Sequence, residues 1–536
     1  MPGVMNRRGT MNRRELIKLG AGAMAAGWTA STASAAPDSA GESIEQWGVF
    51  EVTAQGPSSG NPFVDIQFGG RFMQGHRAVE VAGFYDGDGV YRVRFSPDTP
   101  GPWTCETTSS AKELAGLTRA FECTPAKAGN RGPVGTAHRF HFQYADGTPY
   151  FPFGTTCYSY GFVPEPYERE TLENLKSAEF NKVRMCLLPK PLGKLEPVAM
   201  PFERPSGAAL SGAAPPNAQG SMASPDYKET REQFDLTRLN PAYFQHVERC
   251  IENLLAANIQ ADVILFHPYD AWGFKSMGAD ADDRYLKYAI ARLSAYRNVW
   301  WSLANEYDLI RSKTMTDWDR FFRIVSECDP YSRLRSIHYS RVMYDYSRPW
   351  CTHASLQACD FDKSAERRNA WNKPIIYDEI QYEGNIARRW GNLSPEEMTY
   401  RFWRAIVNGV YATHGETCIS TDGSPVWSDA GELHGMSPAR LAFLHKLLQR
   451  TGTTGLIAAE NPYYVNAGNP GELYLWFFDY HCAAEYEFPL PGKTQFKATM
   501  IDPFAMTTEA LPGTFSGKSK LTLSGKPYRA VLFEKV

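Results

Sequence analysis

The sequence predicts an α/β protein in which a (β/α)8 TIM barrel is flanked by N-terminal and C-terminal β-sandwich domains. Three observations predict it. Strand-like runs without a helical period fill residues 43–130. Eight strand-like runs, with amphipathic helices between most of them, fill residues 138–452. Strands without helices return over 455–536. At 536 residues the chain is too long for one ordinary domain, which agrees with a three-part division.

Residues 1–42 are set apart as a targeting segment and linker. Arg13-Arg14 precedes Leu16-Ile17-Lys18, a weakly apolar Gly/Ala stretch and the small-residue run Ala33-Ser34-Ala35. This is the twin-arginine pattern of bacterial export, so a periplasmic or extracellular location is expected. The stretch is too short and Gly-rich for a permanent membrane span, and no other window resembles one.

The first sandwich is read from "GVFEVTAQG", "FVDIQFGG", "VEVAGFYDGDGVYRVRFSP" and "GPWTCETTSS", where "DGDG" between alternating runs marks a hairpin. The linker "TPAKAGNRGPV" follows. The eight barrel strands are then "PYFPFGTTCYSY", "FNKVRMCLLP", "QADVILFHPYD", "NVWWSLANEYD", "LRSIHYS", "CTHASLQ", "KPIIYDEIQYEG" and "VYATHGETC". A helix is expected near 168–178. In "NPAYFQHVERCIENLLAANI", Asn240 caps a helix, Pro241 suits its first turn, and Phe244, Val247, Ile251, Leu254 and Leu255 form one face. Further helices are expected at 283–296, in "TDWDRFFRIVSECD", in "SPEEMTYRFWRAIVNG" with a capping box of Ser394 and Glu397, and at 438–450. No GxGxxG follows the first strand, which argues against a doubly wound sheet. Residues 189–235, rich in Pro, Gly, Ala and Ser, interrupt the alternation after the second strand.

A net charge of -3 gives no reason to invoke nucleic acid or an anionic membrane. The ten cysteines show neither CxxC pairs nor a zinc-ligand pattern. Cys105 and Cys123 lie in neighbouring strand-like segments, where a disulfide is open to them outside the cytoplasm. Cys157, Cys186 and Cys418 read as small buried hydrophobes. No cofactor and no metal are expected.

Barrel enzymes place their chemistry where strands end. The eight ends carry Tyr158, Arg184, His267 with Asp270 and Trp272, Asn305 with Glu306, His338 with Tyr339, His353, Glu379, and His414 with Glu416. Glu306 ends the fourth strand and Glu379 the seventh. These strands lie nearly opposite each other, so inward carboxylates come within reach of the ~5–5.5 Å that retaining glycosidases need. One then attacks an anomeric carbon while the other moves the proton.

With both glutamates at these strand ends, the chain resembles the clan of retaining β/α-barrel glycoside hydrolases. The resemblance covers residues 138–452. It implies Glu306 as acid/base after Asn305, which would bond the substrate 2-hydroxyl, and Glu379 as nucleophile in "IIYDEI". It further implies support from Arg184 and His267. The sandwich, barrel, sandwich order resembles bacterial glycosidases with an apiosidase-like barrel, as do "GFYDGDGVYRVRFSP", "LFHPYDAWGF", "THGET" and "SGKPYRAVLFEKV". An oligo- or polysaccharide substrate follows from the resemblance. Tyr158, Tyr339, Asp270, Trp272, His414, Glu416 and Trp427 complete the expected substrate-binding set. Many clan members carry a Trp at the end of strand eight; here the nearest is Trp427, in the following loop.

Two other classes stand beside this reading. His267, His338, His353 and His414 near strand ends fit a metal-dependent barrel hydrolase, but the first strand lacks the HxH such barrels usually carry. A non-catalytic carbohydrate-binding protein is the third class, and retention of both glutamates argues against it. The 189–235 insertion lies on the catalytic face, as every βα loop does. It is expected to wall off the cleft, favour exo action, and order only against a neighbouring domain, subunit or substrate.

Overall fold

The computed structural model describes residues 41–191, 196–204, 234–419, 426–459 and 464–536. The twin-arginine segment and most of the insertion after the second strand lie outside the described residues.

Eight parallel strands form the central sheet. In chain order they are Phe153–Thr156, Lys182–Cys186, Gln260–Phe266, Val299–Ala304, Arg335–Ser336, Ala354–Gln357, Ile375–Glu379 and Tyr411–His414. Each pairs with its sequence neighbour, and the first pairs with the eighth. Between the fifth and sixth a single parallel bridge, His338 to Ser355, joins the two edges of the sheet. The third and fourth strands are buried at every position. Helices cover one face and barrel side chains the other, which is why these strands read as apolar runs rather than alternations.

The helices follow the sequence reading closely. Pro241–Ala256 starts where expected, with the Asn240 side chain accepting from the Ala242 amide. Ser394 caps Pro395–Val407, accepting from the Glu397 amide. The expected capping box is only half formed, because the Glu397 carboxylate pairs with Arg401 at 2.8 Å. A full box appears instead at Thr314 and Asp317, opening Met315–Cys328. The helix Ser364–Trp371 was not legible: its buried positions are Ser364 and Arg368, so it carries no apolar stripe.

A small sheet of Val134–Ala137, His141–Tyr144 and Pro149–Tyr150 plugs the N-terminal end of the barrel. Phe142 inserts between Trp300, His353 and Tyr411, with ring centroids 5.6–5.8 Å away. This plug occupies the stretch read as linker and barrel start.

The N-terminal domain is two antiparallel-rich sheets of five and three strands around Phe50, Phe72, Phe95, Trp103 and Phe121. It is tied to the barrel by buried charge. Arg94 bonds Glu248, Glu248 bonds Arg292, and Arg292 bonds Asp86 at 2.7 Å. Removing one member of such a buried pair costs roughly 3–5 kcal/mol, so the two domains are expected to unfold together. The Cys105–Cys123 disulfide does not fit. Cys105 lies opposite Arg119 and Cys123 opposite Gly101, four residues out of register. At ~3.4 Å per residue that separation far exceeds disulfide reach. Both thiols are free.

The C-terminal domain is a six-stranded sheet with a two-stranded ribbon folded over it, packed around Trp476, Phe488, Phe496 and Phe533. Phe477 stacks on Trp403 of the barrel helix Pro395–Val407. The base of the insertion is a short antiparallel pair, Phe202–Glu203 with Asp235–Leu239. Phe202 and Phe234 pack on Phe274, and Asn61 of the N-terminal domain donates to the Thr237 hydroxyl at 2.7 Å. Among the described residues no helix is long and apolar enough to cross a membrane.

Candidate active site

Within the barrel, beneath the mouth, lies a layer of buried charge. Lys182 Nζ bonds Asp262 at 2.9 Å and Asp378 at 2.8 Å. Ser355 and Thr413 also donate to Asp378. These donors and the nearby Arg184 hold the Asp378 carboxyl far below the usual carboxylate range, against the opposing effect of burial. Lys182 and Arg184 thus neutralise Asp262 and Asp378. The next pair up, Glu306 and Glu379, has no such full complement.

Glu379 ends the seventh strand and is 7% exposed; Glu306 follows the fourth and is 8% exposed. The Tyr158 hydroxyl donates to Glu379 Oε1, and Tyr382 lies 3.1 Å from that hydroxyl. Gln357 Nε2 donates to Glu379 Oε2 at 3.2 Å, and Arg184 stands 3.7 Å from Oε1. Across the site, the Tyr269 hydroxyl donates to Glu306 Oε2. Arg184 also donates to Asn305 Oδ1 at 2.8 Å, and the Asn305 amide donates to the Tyr269 hydroxyl at 3.1 Å. One guanidinium therefore links the two carboxylate environments. The Tyr158 and Tyr269 rings lie 6.0 Å apart, bridging the pair.

Burial is the largest influence on Glu379, followed by the Glu306 charge; together they raise its pKa to about 7, against the opposing effects of Arg184, Tyr158 and Tyr382. A carboxylate facing another negative charge in a dry site ionises reluctantly, so a share of Glu379 stays protonated near neutrality. Burial also raises the Tyr158, Tyr269 and Tyr382 hydroxyls well above their ordinary range, which keeps all three as hydrogen-bond donors.

Glu306 has a positive φ of 46°. This left-handed conformation costs about 1–3 kcal/mol in a non-glycine residue and persists where the surroundings impose it. Here the Asn305 amide donates to Phe266 O, the Tyr307 amide to His338 O, and the Glu306 amide to His338 Nδ1. The turn aims the carboxylate at the Tyr269 hydroxyl and opens the short 3-10 helix Tyr307–Leu309. His338 is kept neutral by burial, and its accepting Nδ1 assigns the hydrogen to Nε2.

The other expected residues divide. His267 Nε2 donates to the Leu188 carbonyl, 2.8 Å away, and its ring stacks behind Tyr269. Asp270 accepts from the Trp272 and Lys275 amides, so its oxygens hold the loop. Trp272 is buried against Phe274. Trp427 is fully buried and donates to Thr155, which also meets His414 Nδ1 at 2.9 Å. Glu416 accepts from the His434 and Gly435 amides. Tyr339 is buried beside Asp360 and Arg367 rather than at the carboxylate pair. His353 packs on Phe142 and Trp300 at the opposite end. Among the described residues the four strand-end histidines do not gather within ligand distance of one another.

Five contributors escaped the sequence reading. Gln357 ends the sixth strand and was accessible by the same rule that found Glu379. Tyr269 and Tyr382 lie two or three residues past strand ends. Lys190 pairs with Asp429 and sits over the Tyr158 and Tyr269 rings at 5.5 and 5.9 Å, closing one side of the mouth. Trp390 is 36% exposed, and its ring packs edge-on against Tyr382 at 5.7 Å.

With this geometry in hand, the comparisons are specific. Residues 136–449 match the family described as apiosidase-like, catalytic domain. Residues 43–110 and 463–534 match two families of domains of unknown function, DUF5060 and DUF5605. A crystal structure from Bacteroides vulgatus ATCC 8482, assigned as a glycoside hydrolase, is 34% identical with a TM-score of 0.83, covering 92% of this chain and 100% of its own. A family 5 glycoside hydrolase from the same organism shares the fold at 12% identity and a TM-score of 0.55, over 76% of this chain and 93% of its own. No curated protein matches the chain.

Proposed function

Because the chain belongs to the family of apiosidase-like catalytic domains and is a glycoside hydrolase, we propose that it cleaves O-glycosidic bonds with retention, using Glu306 as acid/base and Glu379 as nucleophile. The observation that carries the reading is the two buried carboxylates whose charges interact, with Arg184, Tyr158 and Gln357 all gathered on Glu379. Arg184, Tyr158 and Tyr382 oppose the rise in the Glu379 pKa and so favour the anion that attacks.

In the first step a Glu379 oxygen bonds the anomeric carbon. The bond to the leaving oxygen breaks, and that oxygen takes the Glu306 proton. In the second step Glu306 removes a proton from water, the water oxygen bonds the anomeric carbon, and the ester to Glu379 breaks. Asn305, oriented by Arg184, is placed to bond a sugar hydroxyl. A panel of aryl glycosides, aryl apiosides included, tests the reading when the first-formed anomer is followed by NMR. Retained configuration supports it; inversion overturns it.

An acidic limb of kcat/KM is expected near pH 7, because below it Glu379 is protonated and cannot attack. Tyr269→Phe removes the donor on Glu306. We expect a roughly 10–100-fold fall in kcat/KM, measured across a pH–rate profile, with the fold unchanged.

Exo action is part of the proposal. The Lys190–Asp429 pair narrows the mouth where the insertion begins, and both glutamates are buried. Trp390 offers the exposed aromatic face on which a sugar stacks. Trp390→Ala is expected to raise KM about tenfold while changing kcat little, since uniform binding is lost; unchanged KM on every cleaved substrate assigns Trp390 elsewhere. Export by the twin-arginine pathway, with action on extracytoplasmic carbohydrate, completes the proposal.

A further inference from the structure

On the outer layer of the barrel, away from the glutamates, three ligand-type side chains meet. His246 and Cys250 are one turn apart on the helix Pro241–Ala256, and Glu168 projects from Glu165–Ser177. All three are buried, and one ligand atom from each lies within 4.8 Å of the others. Cys250 Sγ and His246 Nε2 are 3.7 Å apart. A tetrahedral zinc with bonds of about 2.3 Å to sulfur and 2.0–2.1 Å to nitrogen sets those atoms ~3.5 Å apart, so the pair is already near ligand spacing.

The surroundings contribute independently. The Tyr160 hydroxyl is fully buried, has no hydrogen-bond partner, and interacts electrostatically with Cys250 and Glu168. Buried hydroxyls are normally paired, so an orphan that interacts with two members of this cluster points to an additional occupant. Thr171, one turn along from Glu168, is a second buried hydroxyl without a partner. Asn253 Nδ2 donates to Glu168 Oε1 at 2.8 Å, holding the carboxylate and leaving Oε2 for another bond. His246 Nδ1 faces Arg249 at 2.9 Å, and the ring also meets the Val163 backbone. A metal on Nε2 needs hydrogen on Nδ1. Arg249 donates to Nδ1 here, so zinc binding requires the exposed Arg249 side chain to turn away and Nδ1 to take the hydrogen.

We propose that Glu168, His246 and Cys250 form a structural zinc site, completed at its fourth position by Tyr160 or water, which pins the helix after the first strand to the helix after the second. One thiolate and one carboxylate balance the divalent charge, and the mixed sulfur, nitrogen and oxygen set suits zinc. Binding replaces the thiol proton: the S–H bond breaks, an S–Zn bond forms, and a proton leaves to solvent. The site takes no part in glycoside cleavage.

The test is cobalt titration of the chelator-stripped, full-length protein. One equivalent is expected to produce a thiolate-to-cobalt charge-transfer band that zinc abolishes. Cys250→Ser is expected to lose the band, and His246→Ala or Glu168→Gln to weaken cobalt binding at least about tenfold. Zinc is expected to raise the wild-type Tm but not that of the Cys250→Ser protein. No band in the wild type, or an undiminished band in the Cys250→Ser protein, overturns the proposal. If that variant does not fold, unchanged cobalt affinity in both other variants overturns it equally.

Discussion

Glu379→Gln is expected to lower kcat by roughly 10⁴-fold or more, the scale on which enzymes lose a covalent nucleophile. The change is nearly isosteric, and Gln keeps an oxygen for the Tyr158 hydroxyl. Stability should not fall with activity. The wild-type carboxyl has its pKa raised from 4.5 to about 7 by burial and by Glu306. A group raised on folding contributes stability that is full below its unfolded pKa and is lost as pH rises through the folded one. The wild type therefore weakens between about pH 4.5 and 7 relative to the variant, which has no such carboxyl to ionise. Thermal denaturation across that window is expected to show a Tm gap in favour of Glu379→Gln that widens as pH rises. A variant that is both inactive and less stable at pH 8 assigns Glu379 a structural role instead.

Glu306→Ala should divide substrates by their leaving groups. General acid catalysis contributes about 10²–10⁴-fold, and a substrate with a poor leaving group needs all of it. Aryl glycosides with acidic phenols leave without a proton, so glycosylation of Glu379 survives and the intermediate accumulates. Water then lacks its base. Azide needs none, and its addition is expected to restore turnover on activated substrates, giving a glycosyl azide of retained configuration. Equal losses on both substrate types, with no azide rescue, remove the acid/base assignment. The left-handed backbone at Glu306 bears on the same variant: Ala gains nothing from that conformation, so local stability is expected to change little.

The barrel was legible because its strands are buried on both faces and punctuated by polar turns, so each run announced itself without alternation. The two glutamates were legible for a related reason. A carboxylate in the Asn-Glu pair that follows "VWWSLA", or one closing "IIYDE", has no place in an apolar layer unless the strand ends there. What followed the strand ends was less legible. Asp270, His414 and Glu416 stand at the same ends, yet their polar atoms meet loop amides or Thr155, while Tyr269, one residue before Asp270, turns to Glu306. Side-chain direction in a loop depends on backbone turns that residue type does not report. The plug sheet was missed because the Gly and Pro in "AGNRGPV" resemble a linker, although Phe142 is fully buried against Trp300. The interrupted helix Ser364–Trp371 gave no apolar period to find.

The central claim is that Glu379 forms a bond to the anomeric carbon. An activated 2-deoxy-2-fluoro glycoside of whichever sugar the aryl panel selects slows the second step and traps that bond. Peptide mapping by mass spectrometry of the inactivated protein is the direct measurement. The sugar is expected on the peptide containing Ile375–Glu379, at Glu379 itself, with no label in the Glu379→Gln protein. Attachment at Glu306, or at any other side chain, contradicts the account.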